Sequence, residues 1–385
     1  MGMVFFLYFF IFLSFMDFFA QLPIMSTYAL HLGASYMLSG LIVGAYSFSN
    51  MFSNIVSGQF VDRLGPKKVL TFGFLLNGMI LILYSVVHTP TMLLWTRLAH
   101  GISAGLLVPA AFTFISIMNQ GNKKGKAMAL SGAAVGIAAI VGPAFGGAVT
   151  KLIGAEWVFR IIGIGMIVSS LFSSFILPNR KKERLTNARS NVFQDYIILF
   201  KKRGLVFAYV GALSLMFSQG ILAYMLPIKV ENLHLGSHIS GMLMSVFGIV
   251  AILLFLLPTN KIFDRYKNEY LMIFGMALIA LAQISLSFAS NLNLLFFIMG
   301  CYGAGFAMLF PSISALISLH SASDERGKAY GLFYGFFSLG SFAGSSLTGA
   351  FSMTPAEGFR TAAFLLLVVS ISIILFLKRK SQEKI

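Results

Sequence analysis

Long apolar runs separated by short polar segments fill this chain of 385 residues. Each run has about 20 residues or more, which is enough for an α-helix to cross a hydrocarbon core about 30 Å thick. Because lipid offers no partners to unpaired backbone groups, we expect these runs to be helices; the short alternating segments of a β-barrel do not occur. The pattern predicts an all-α membrane protein with twelve spans, at about residues 3–29, 36–60, 69–87, 92–118, 127–150, 157–177, 204–228, 239–258, 270–289, 292–318, 328–351 and 359–377.

Composition agrees with this pattern, since 58% of the residues are hydrophobic and only 10% are charged. No basic segment precedes the first span, which is also longer than the apolar part of a signal peptide, so we expect it to be a retained helix. Cys301 is the single cysteine, which excludes an intramolecular disulfide, and it fits no metal-ligand spacing. The chain lacks a Gly-x-x-x-x-Gly-Lys-Ser/Thr loop, so ATP is not expected as the energy source. We predict no cofactor, no metal site and no enzymatic activity.

The positive charges lie mainly on one side of the predicted spans. If the N-terminus is cytoplasmic, 23 of the 28 Lys and Arg residues fall on the cytoplasmic side, four fall on the opposite side, and Arg97 falls inside a span. This positive-inside bias predicts a multi-pass protein of the plasma (inner) membrane with both termini in the cytoplasm. It also accounts for the net charge of +16 without nucleic acid as a partner, and the basic face favours contact with anionic membrane lipids.

The second half of the chain repeats the first. Six short matches share an offset of 200 to 204 residues, among them "LPI" at 22–24 and 226–228, "DR" at 62–63 and 264–265, and Pro109 with Pro311. We predict an N-terminal six-helix bundle at 1–177, a basic cytoplasmic linker at 178–203, a C-terminal six-helix bundle at 204–377 and a cytoplasmic tail at 378–385. Two related bundles can expose a midplane site to each side in turn, which predicts transmembrane transport by alternating access, complete in one monomer.

Three segments resemble motifs of the major facilitator superfamily. The loop "GQFVDRLGPKK" at 58–68 is similar to the family's signature between its second and third helices, and "NKIFDRYKN" at 260–268 is a weaker repeat of it. "TRLAHGISAG" at 96–105 resembles the family's Arg-x-x-x-Gly helix motif. "VGPAFGG" at 141–147 resembles the Gly-Pro-x-x-Gly-Gly motif of the twelve-helix drug:proton antiporters. Departures are Pro66 at a usually basic position, Ala138 where a glycine is common, and Lys267 in the place of Gly65.

The resemblance implies a conformational gate at the charged loop. In this family the motif's Asp and Arg latch the two bundles on the cytoplasmic side, and Gly65 permits a tight reversal between two helices. The predicted gate comprises Gly58, Asp62, Arg63, Gly65, Lys67, Asp264 and Arg265. The lysines also fit a simpler role in fixing membrane orientation.

Two charged residues fall deep inside predicted spans. Asp17 is the only one of the twelve acidic residues at such depth, and Arg97 is the deep base. Each costs roughly 2.5–3.5 kcal/mol on insertion scales, so neither should face lipid. We predict that the two approach each other, that Asp17 binds a coupling proton and that Arg97 tunes its proton affinity. A static polar pair, or direct pairing of Asp17 with a cationic substrate, fits the same positions.

Polar stripes at helical spacing predict the walls of a substrate cavity. The candidates are Gln21, Tyr46, Asn50, Asn54, Gln219, Tyr224 and Tyr334, with hydrogen bonding between helices as the alternative. Four residues of the fifth span form a helix-packing motif, because small residues allow close approach and proline removes a backbone donor: Gly142, Pro143, Gly146 and Gly147. The family resemblance implies that this packing seals the pathway against proton leak, and plain helix packing without a role in coupling is the alternative.

The sequence as a whole predicts a secondary transporter that exports a small amphipathic molecule, a drug or metabolite, in exchange for protons. Multidrug efflux is the leading function. Export of one defined metabolite such as a siderophore-like compound, sugar or peptide, and proton-coupled uptake, remain alternatives within the same fold. A membrane scaffold or sensor without transport is the alternative from another class, and paired intramembrane charges argue against it.

Overall fold

The computed structural model describes residues 2–118, 123–178, 192–256, 265–322 and 325–382, and these ranges contain helices and no strand. A short 3₁₀ helix, Tyr84–Val86, follows α4. In chain order the α-helices are α1 Gly2–Gln21, α2 Met25–His31, α3 Tyr36–Leu64, α4 Pro66–Leu83, α5 Pro90–Ala104, α6 Leu107–Met118, α7 Lys123–Ile153, α8 Ala155–Ile176, α9 Val192–Lys201, α10 Arg203–Asn232, α11 Ser237–Leu256, α12 Asn268–Phe288, α13 Leu292–His320, α14 Arg326–Ala350 and α15 Pro355–Gln382.

Within the described residues, each of the twelve predicted spans falls mainly on helix. Within the described ranges, nine helical segments are long and apolar enough to cross a membrane, or ten if α1 and α2 form one span. The other two spans are α3 and α14, whose sequences are rich in Gly and Ser. Membrane-spanning helices with this many small and polar residues are expected where they contact other helices or line a cavity.

The structure corrects two details of the predicted spans and adds one to the predicted linker. The first span is not one helix, because α1 ends at Gln21 and α2 begins at Met25 with a bend of 48° between them. Pro23 lies in the break and cannot donate a backbone hydrogen bond. The fourth span is divided into α5 and α6. The predicted linker at 178–203 contains the helix α9, while its residues 179–191 lie outside the described part of the chain.

Two compact units divide the chain, the first made of residues 1–186 and 226–245 and the second of residues 187–225 and 246–385. The dividing point at 225/226 falls inside α10, beside Pro227. In the first unit α1 packs on α7, α3 on α5 and α4 on α8. Its core contains fully buried aromatic side chains from four helices: Phe10, Phe74, Phe114 and Phe159.

The second unit has its own apolar core. Here α12 packs on both α13 and α15. Fully buried aromatic side chains include Tyr209, Phe333 and Phe359. The domain boundaries predicted from the sequence remain a prediction.

Side-chain caps fix where several helices begin. Ser35 accepts a 3.2 Å hydrogen bond from the Leu38 amide at the start of α3, and Thr89 accepts one of 3.3 Å from the Met92 amide at the start of α5. Pro90 occupies the first turn of α5, where its missing N–H costs nothing. Thr89 and Pro90 therefore fix the start of α5, the helix that carries Arg97 and His100.

Candidate functional site

Asp17 lies at the centre of a buried polar cluster in the first unit. Its side chain, on α1 one turn before the helix ends, is fully buried. Oδ1 accepts a hydrogen bond of 2.6 Å from Nε2 of Gln21, and Oδ2 accepts one of 2.8 Å from Nδ2 of Asn77. Nε2 of His100 lies 2.9 Å from the same Oδ2. These three contacts replace the water shell that a buried carboxylate loses.

His100, on α5, has a polar partner at each ring nitrogen. On the side away from Asp17, its Nδ1 lies 3.1 Å from the hydroxyl of Tyr84. Tyr84 is itself fixed, since its ring stacks on Phe159 with centroids 4.4 Å apart. Tyr46 of α3 meets the imidazole edge-on at 5.0 Å. The ring of His100 is therefore held between two oxygen atoms in one orientation.

Arg97 reaches Asp17 through an intermediate side chain. Its Nη1 donates a 2.8 Å hydrogen bond to Oε1 of Gln21, whose Nε2 in turn donates to Asp17. Nε and Nη2 each donate at 3.2 Å to the carbonyl oxygens of Ile42 and Val43. Arg97 and Asp17 are thus linked through the side-chain amide of Gln21, which is 2% exposed in this structure.

Asn77 of α4 completes the cluster. Its Oδ1 accepts a 2.5 Å hydrogen bond from the hydroxyl of Ser103, and its Nδ2 contacts Sδ of Met166 at 2.9 Å in addition to Asp17. Both residues that anchor the amide are buried, as is Asn77 itself. Its amide is consequently oriented with the nitrogen towards the carboxylate.

His100, Asn77 and Tyr84 were not among the predicted site residues. Two signals for them exist in the sequence. His100 follows Arg97 by three positions, which places both on one face of a helix. Asn77 is the only amide in the mainly apolar stretch 69–83. Nothing in the sequence, however, indicates that these faces meet at Asp17.

Close packing of α3 on α5 holds the basic side chains in place. A Cβ atom at Gly101 would overlap the carbonyl oxygen of Tyr46 and the hydroxyl of Ser49. Nδ2 of Asn50 donates a 3.2 Å hydrogen bond to the Gly101 carbonyl, and Nδ2 of Asn54 donates one of 2.7 Å to Oδ1 of Asn50. In this structure the predicted stripe Tyr46, Asn50 and Asn54 therefore forms hydrogen bonds and packing contacts between and along helices.

The "GPAFGG" segment brings α7 against two other parts of the first unit. A Cβ at Gly146 would overlap the Ala20 carbonyl oxygen, and one at Gly142 would lie 2.7 Å from Cβ of Phe19, so these two glycines seat α7 on α1. Gly147 instead faces Ser237 and His238 at the start of α11. Pro143 lies within α7, and its carbonyl would meet a Cβ placed at Gly241 of α11.

The charged loop is a tight reversal between α3 and α4. Gly65 ends α3 and precedes Pro66 with φ +87° and ψ 150°, a conformation that favours glycine. Asp62 and Arg63 are exposed on the last turn of α3, and Lys67 is half-buried at the start of α4. Gly58 has open space where a Cβ would lie. In the second half Arg265 is exposed, and Asp264 lies outside the described residues.

A neutral polar cluster occupies the second unit. The hydroxyl of Tyr302 donates a 2.9 Å hydrogen bond to Oε1 of Gln219 and lies 3.0 Å from the hydroxyl of Ser218. Nε2 of Gln283 donates a 2.8 Å hydrogen bond to the same Ser218 hydroxyl. Of the other predicted cavity residues, Tyr224 is fully buried, whereas Tyr334 is 55% exposed.

A comparison with known families identifies the architecture. The profile described as "Major Facilitator Superfamily" matches residues 7–228 and 208–384, which together span almost the whole chain. The chain belongs to the Major Facilitator Superfamily. It is therefore a multi-pass membrane protein whose twelve spanning helices form two six-helix bundles. Across the described residues, no group of three or more His, Cys, Asp and Glu side chains is placed to hold a metal ion.

Two relatives within this superfamily cover most of the chain. The Quinolone resistance protein NorA of Staphylococcus aureus (strain COL) is 25% identical over 350 residues, covering 90% of this chain and 89% of that protein. An uncharacterized MFS-type transporter of Methanocaldococcus jannaschii is 23% identical over 333 residues, covering 84% of each.

Solved structures of superfamily transporters share the fold. The nucleoside transporter NupG has a TM-score of 0.79 at 17% identity, covering 98% of this chain and 100% of that chain. A POT family transporter in complex with 5-aminolevulinic acid has a TM-score of 0.79 at 14% identity, covering 97% and 95%. A bacterial homolog of the human lysosomal transporter Spinster, inward-facing and unoccupied, has a TM-score of 0.78 at 14% identity, covering 97% and 94%. At these identities the likeness concerns the fold alone.

Proposed function

We propose that this membrane transporter exports a small amphipathic molecule across the plasma membrane in exchange for protons. The observation that carries the proposal is the position of Asp17, a fully buried carboxylate inside a membrane-spanning helix. A charge at this depth is costly and marks an ion or substrate pathway by default. The cluster around Asp17 supplies what reversible proton binding needs: an acid, a nearby imidazole and a fixed cation.

The direction of transport is inferred from the glycine motif in α7. Gly142 and Gly146 bring α7 into direct backbone contact with α1, two and three residues beyond Asp17. Such a contact leaves no room for a water file between the helices, so it suits an antiporter, which must not leak protons. The motif's resemblance to that of drug:proton antiporters supports export over uptake.

The substrate class rests on two arguments. NorA, which is similar to this chain over nearly its full length, is described as a quinolone resistance protein. Aromatic rings of α13 and α14 form a continuous group in the second unit, with centroids 5.5 Å apart for Phe306–Phe310, 6.4 Å for Phe310–Phe337 and 4.9 Å for Phe333–Tyr334. Phe333 is buried within this group, whereas Phe306, Phe310 and Phe337 are half-buried and Tyr334 is exposed. These accessible rings suit the apolar, planar part of an amphipathic molecule. Drug or toxic-metabolite efflux is the resulting proposal.

Orientation follows from the charges. The excess of Lys and Arg in alternate loops puts both termini in the cytoplasm. The reversal at Gly65 then lies at the cytoplasmic face, where exposed Asp62 and Arg63 are placed to take part in a conformational gate. In this scheme Arg97 tunes the proton affinity of Asp17 through Gln21.

Reconstituted vesicles provide the test. Purified protein is placed in liposomes that contain a pH-sensitive dye, and a fluoroquinolone, ethidium, a nucleoside and a dipeptide are added in turn. We expect proton flux opposite in direction to the flux of the fluoroquinolone or ethidium, and loss of that coupling in Asp17→Asn. Glu156→Gln removes an exposed carboxylate of α8 and serves as the matched control. Proton-coupled transport that survives in Asp17→Asn would contradict the proposal.

A further inference from the structure

The partners of Asp17 differ in whether they can reverse their hydrogen bonds. Arg97 only donates, so its contact with Gln21 fixes Oε1 towards the guanidinium and Nε2 towards the carboxylate. Asn77 is oriented in the same way by the hydroxyl of Ser103. Neither amide can therefore accept a proton from Asp17.

The imidazole of His100 is the exception among these three partners. A neutral imidazole has one donor and one acceptor nitrogen, and a protonated imidazole has two donors. Tyr84, at Nδ1, is a hydroxyl that can either donate or accept. The hydrogen-bonded row Asp17–His100–Tyr84 can therefore gain or lose one proton without movement of any heavy atom, because rotation of the Tyr84 hydroxyl reverses its hydrogen bond with Nδ1 of His100.

We propose that Asp17 and His100 hold the exchanged proton as one pair, and that Tyr84 is the residue that positions the imidazole for it. The use of this pair in transport rests on the proposed function, whereas the titration itself does not. Before the exchanged proton binds, a step called loading, His100 donates from Nε2 to the ionised Asp17 and accepts at Nδ1 from Tyr84. The incoming proton binds Nδ1, which then donates to the Tyr84 oxygen, and the Tyr84 hydroxyl hydrogen turns away.

Loading changes the charge of the pair from −1 to 0. The added proton belongs to both members, because a shift along the 2.9 Å contact between Nε2 and Oδ2 converts an ion pair into two neutral groups without altering the proton count. The titratable and charged groups that face His100 are Asp17 from α1, Tyr46 from α3, Tyr84 from the 3₁₀ turn and Arg97 from its own helix. Arg97 stays cationic throughout, so the cluster alternates between neutral and positive.

The second unit contains a hydrogen bond that corresponds to the contact between His100 and Asp17 but joins groups that do not exchange protons. Tyr302 and Gln219, joined at 2.9 Å, stand 202 positions after His100 and Asp17. A phenol and an amide hold the same hydrogen bond but exchange no proton near neutral pH. Among the described residues, the counterpart of the proposed pair in the second unit therefore contains no group that titrates near neutral pH.

Nitrogen-15 NMR of histidine-labelled protein in lipid nanodiscs tests the titration without any substrate. Imidazole exchanges protons in the range around pH 5 to 8, and the ring-nitrogen shifts report its protonation and tautomer. We expect the His100 signals to move over this range and to do so at a different midpoint in Asp17→Asn. The signals are assigned by substituting the other five histidines one at a time, so the result does not require a folded His100 variant. Signals of His100 that stay constant over this range, or that titrate identically in Asp17→Asn, would overturn the proposal.

Transport by His100→Gln separates coupling from substrate movement. The glutamine amide can donate to Asp17 in the place of Nε2 but cannot take up a proton. We expect exchange of labelled fluoroquinolone for unlabelled to persist without a gradient, and acceleration by a pH gradient to be lost. His88→Gln, at an exposed position before α5, is the control and should keep both. Gradient-driven efflux in His100→Gln would contradict the pair while leaving proton antiport itself intact. A wild type with no proton coupling would contradict the proposed function instead.

Tyr84→Phe tests the positioning role. Loss of the hydroxyl removes the partner of Nδ1, so we expect the pH midpoint of the His100 signals and of efflux to shift while the fluoroquinolone exchange rate is kept. Tyr209→Phe is a matched control, since the Tyr209 hydroxyl is buried and makes no hydrogen bond within the described residues. Equal pH profiles for Tyr84→Phe and Tyr209→Phe would show that Tyr84 only packs.

Discussion

Tyr302 donates a hydrogen bond of 2.9 Å to Gln219, and both residues stand 202 positions after His100 and Asp17, whose side chains lie the same distance apart. The repeat extends to the surroundings. Tyr46 meets His100 edge-on at 5.0 Å, and Phe247 meets Tyr302 edge-on at 5.5 Å. The same contact therefore occurs in both halves, between α1 and α5 in the first and between α10 and α13 in the second. It joins two titratable side chains in the first half and two side chains that do not titrate near neutral pH in the second.

Tyr302→Phe should destabilise the second unit without changing the pH dependence of transport. The substitution removes one partner from the half-buried Gln219 oxygen and one from the Ser218 hydroxyl, which keeps its hydrogen bond from Gln283. The expected cost is that of a lost hydrogen bond, about 1 kcal/mol. Thermal unfolding in detergent measures the first effect and efflux between pH 6 and pH 8 the second. A changed pH midpoint would place proton coupling in the second unit as well.

Arg97→Lys should impair transport nearly as much as Arg97→Gln. The guanidinium donates to Gln21 and to two backbone carbonyls from three different nitrogens, and an ammonium group cannot reproduce this fork. Gradient-driven efflux of a fluoroquinolone is the measurement, with protein abundance in the membrane as the control for folding. Wild-type efflux by Arg97→Lys would show that charge alone suffices.

Gly146→Ala should loosen the contact between α7 and α1 and let protons leak. The new methyl group would overlap the Ala20 carbonyl oxygen, which lies on backbone that cannot easily move. Passive proton entry into liposomes reports the leak. Gly132→Ala lies on the same helix, where a Cβ meets nothing within 4 Å, and should leave the liposomes tight. A tight Gly146→Ala protein would remove the sealing role from this motif.

Gly65→Ala should lower stability by about 1–3 kcal/mol, since φ +87° with ψ 150° strains any residue that has a Cβ. Thermal unfolding of the purified protein measures it. For comparison, Gly58→Ala lies in regular helix with open space at Cβ, and alanine there should be neutral or stabilising. Equal unfolding temperatures for the two variants would contradict the strain.

Asp62→Asn should insert normally into the membrane but transport slowly. Topology depends on the lysines and arginines, whereas a gate depends on the carboxylate, so the two readouts separate the roles. Accessibility of engineered cysteines on either side reports orientation, and efflux reports transport. The exposed Lys68→Gln substitution in the same loop serves as the control. Unchanged efflux in Asp62→Asn would leave the loop with a role in orientation only.

The sequence predicted the helices of this protein more fully than its site. The length of an apolar run decides whether that segment can span lipid. The positions of the spans, and the location of Asp17 as a single acid within one of them, therefore follow from local composition. The break at Pro23 was missed, because proline is also common inside membrane helices. The partnership of Asp17 with His100 and Asn77 depends on how α1, α4 and α5 are rotated about their axes, and no local pattern determines that rotation.

Gly101 directly follows His100, and Gly303 directly follows Tyr302. Each glycine lets its helix approach the backbone of a neighbouring helix, at Tyr46 and at Phe247 respectively. A gene duplication copies geometry and chemistry together, yet only the geometry is common to both copies today. The close backbone approach is thus shared by the two halves, whereas the ionisable pair occurs at these positions in the first half alone. Placing an acid at position 219 and a histidine at position 302 would therefore change side chains without requiring a new backbone arrangement.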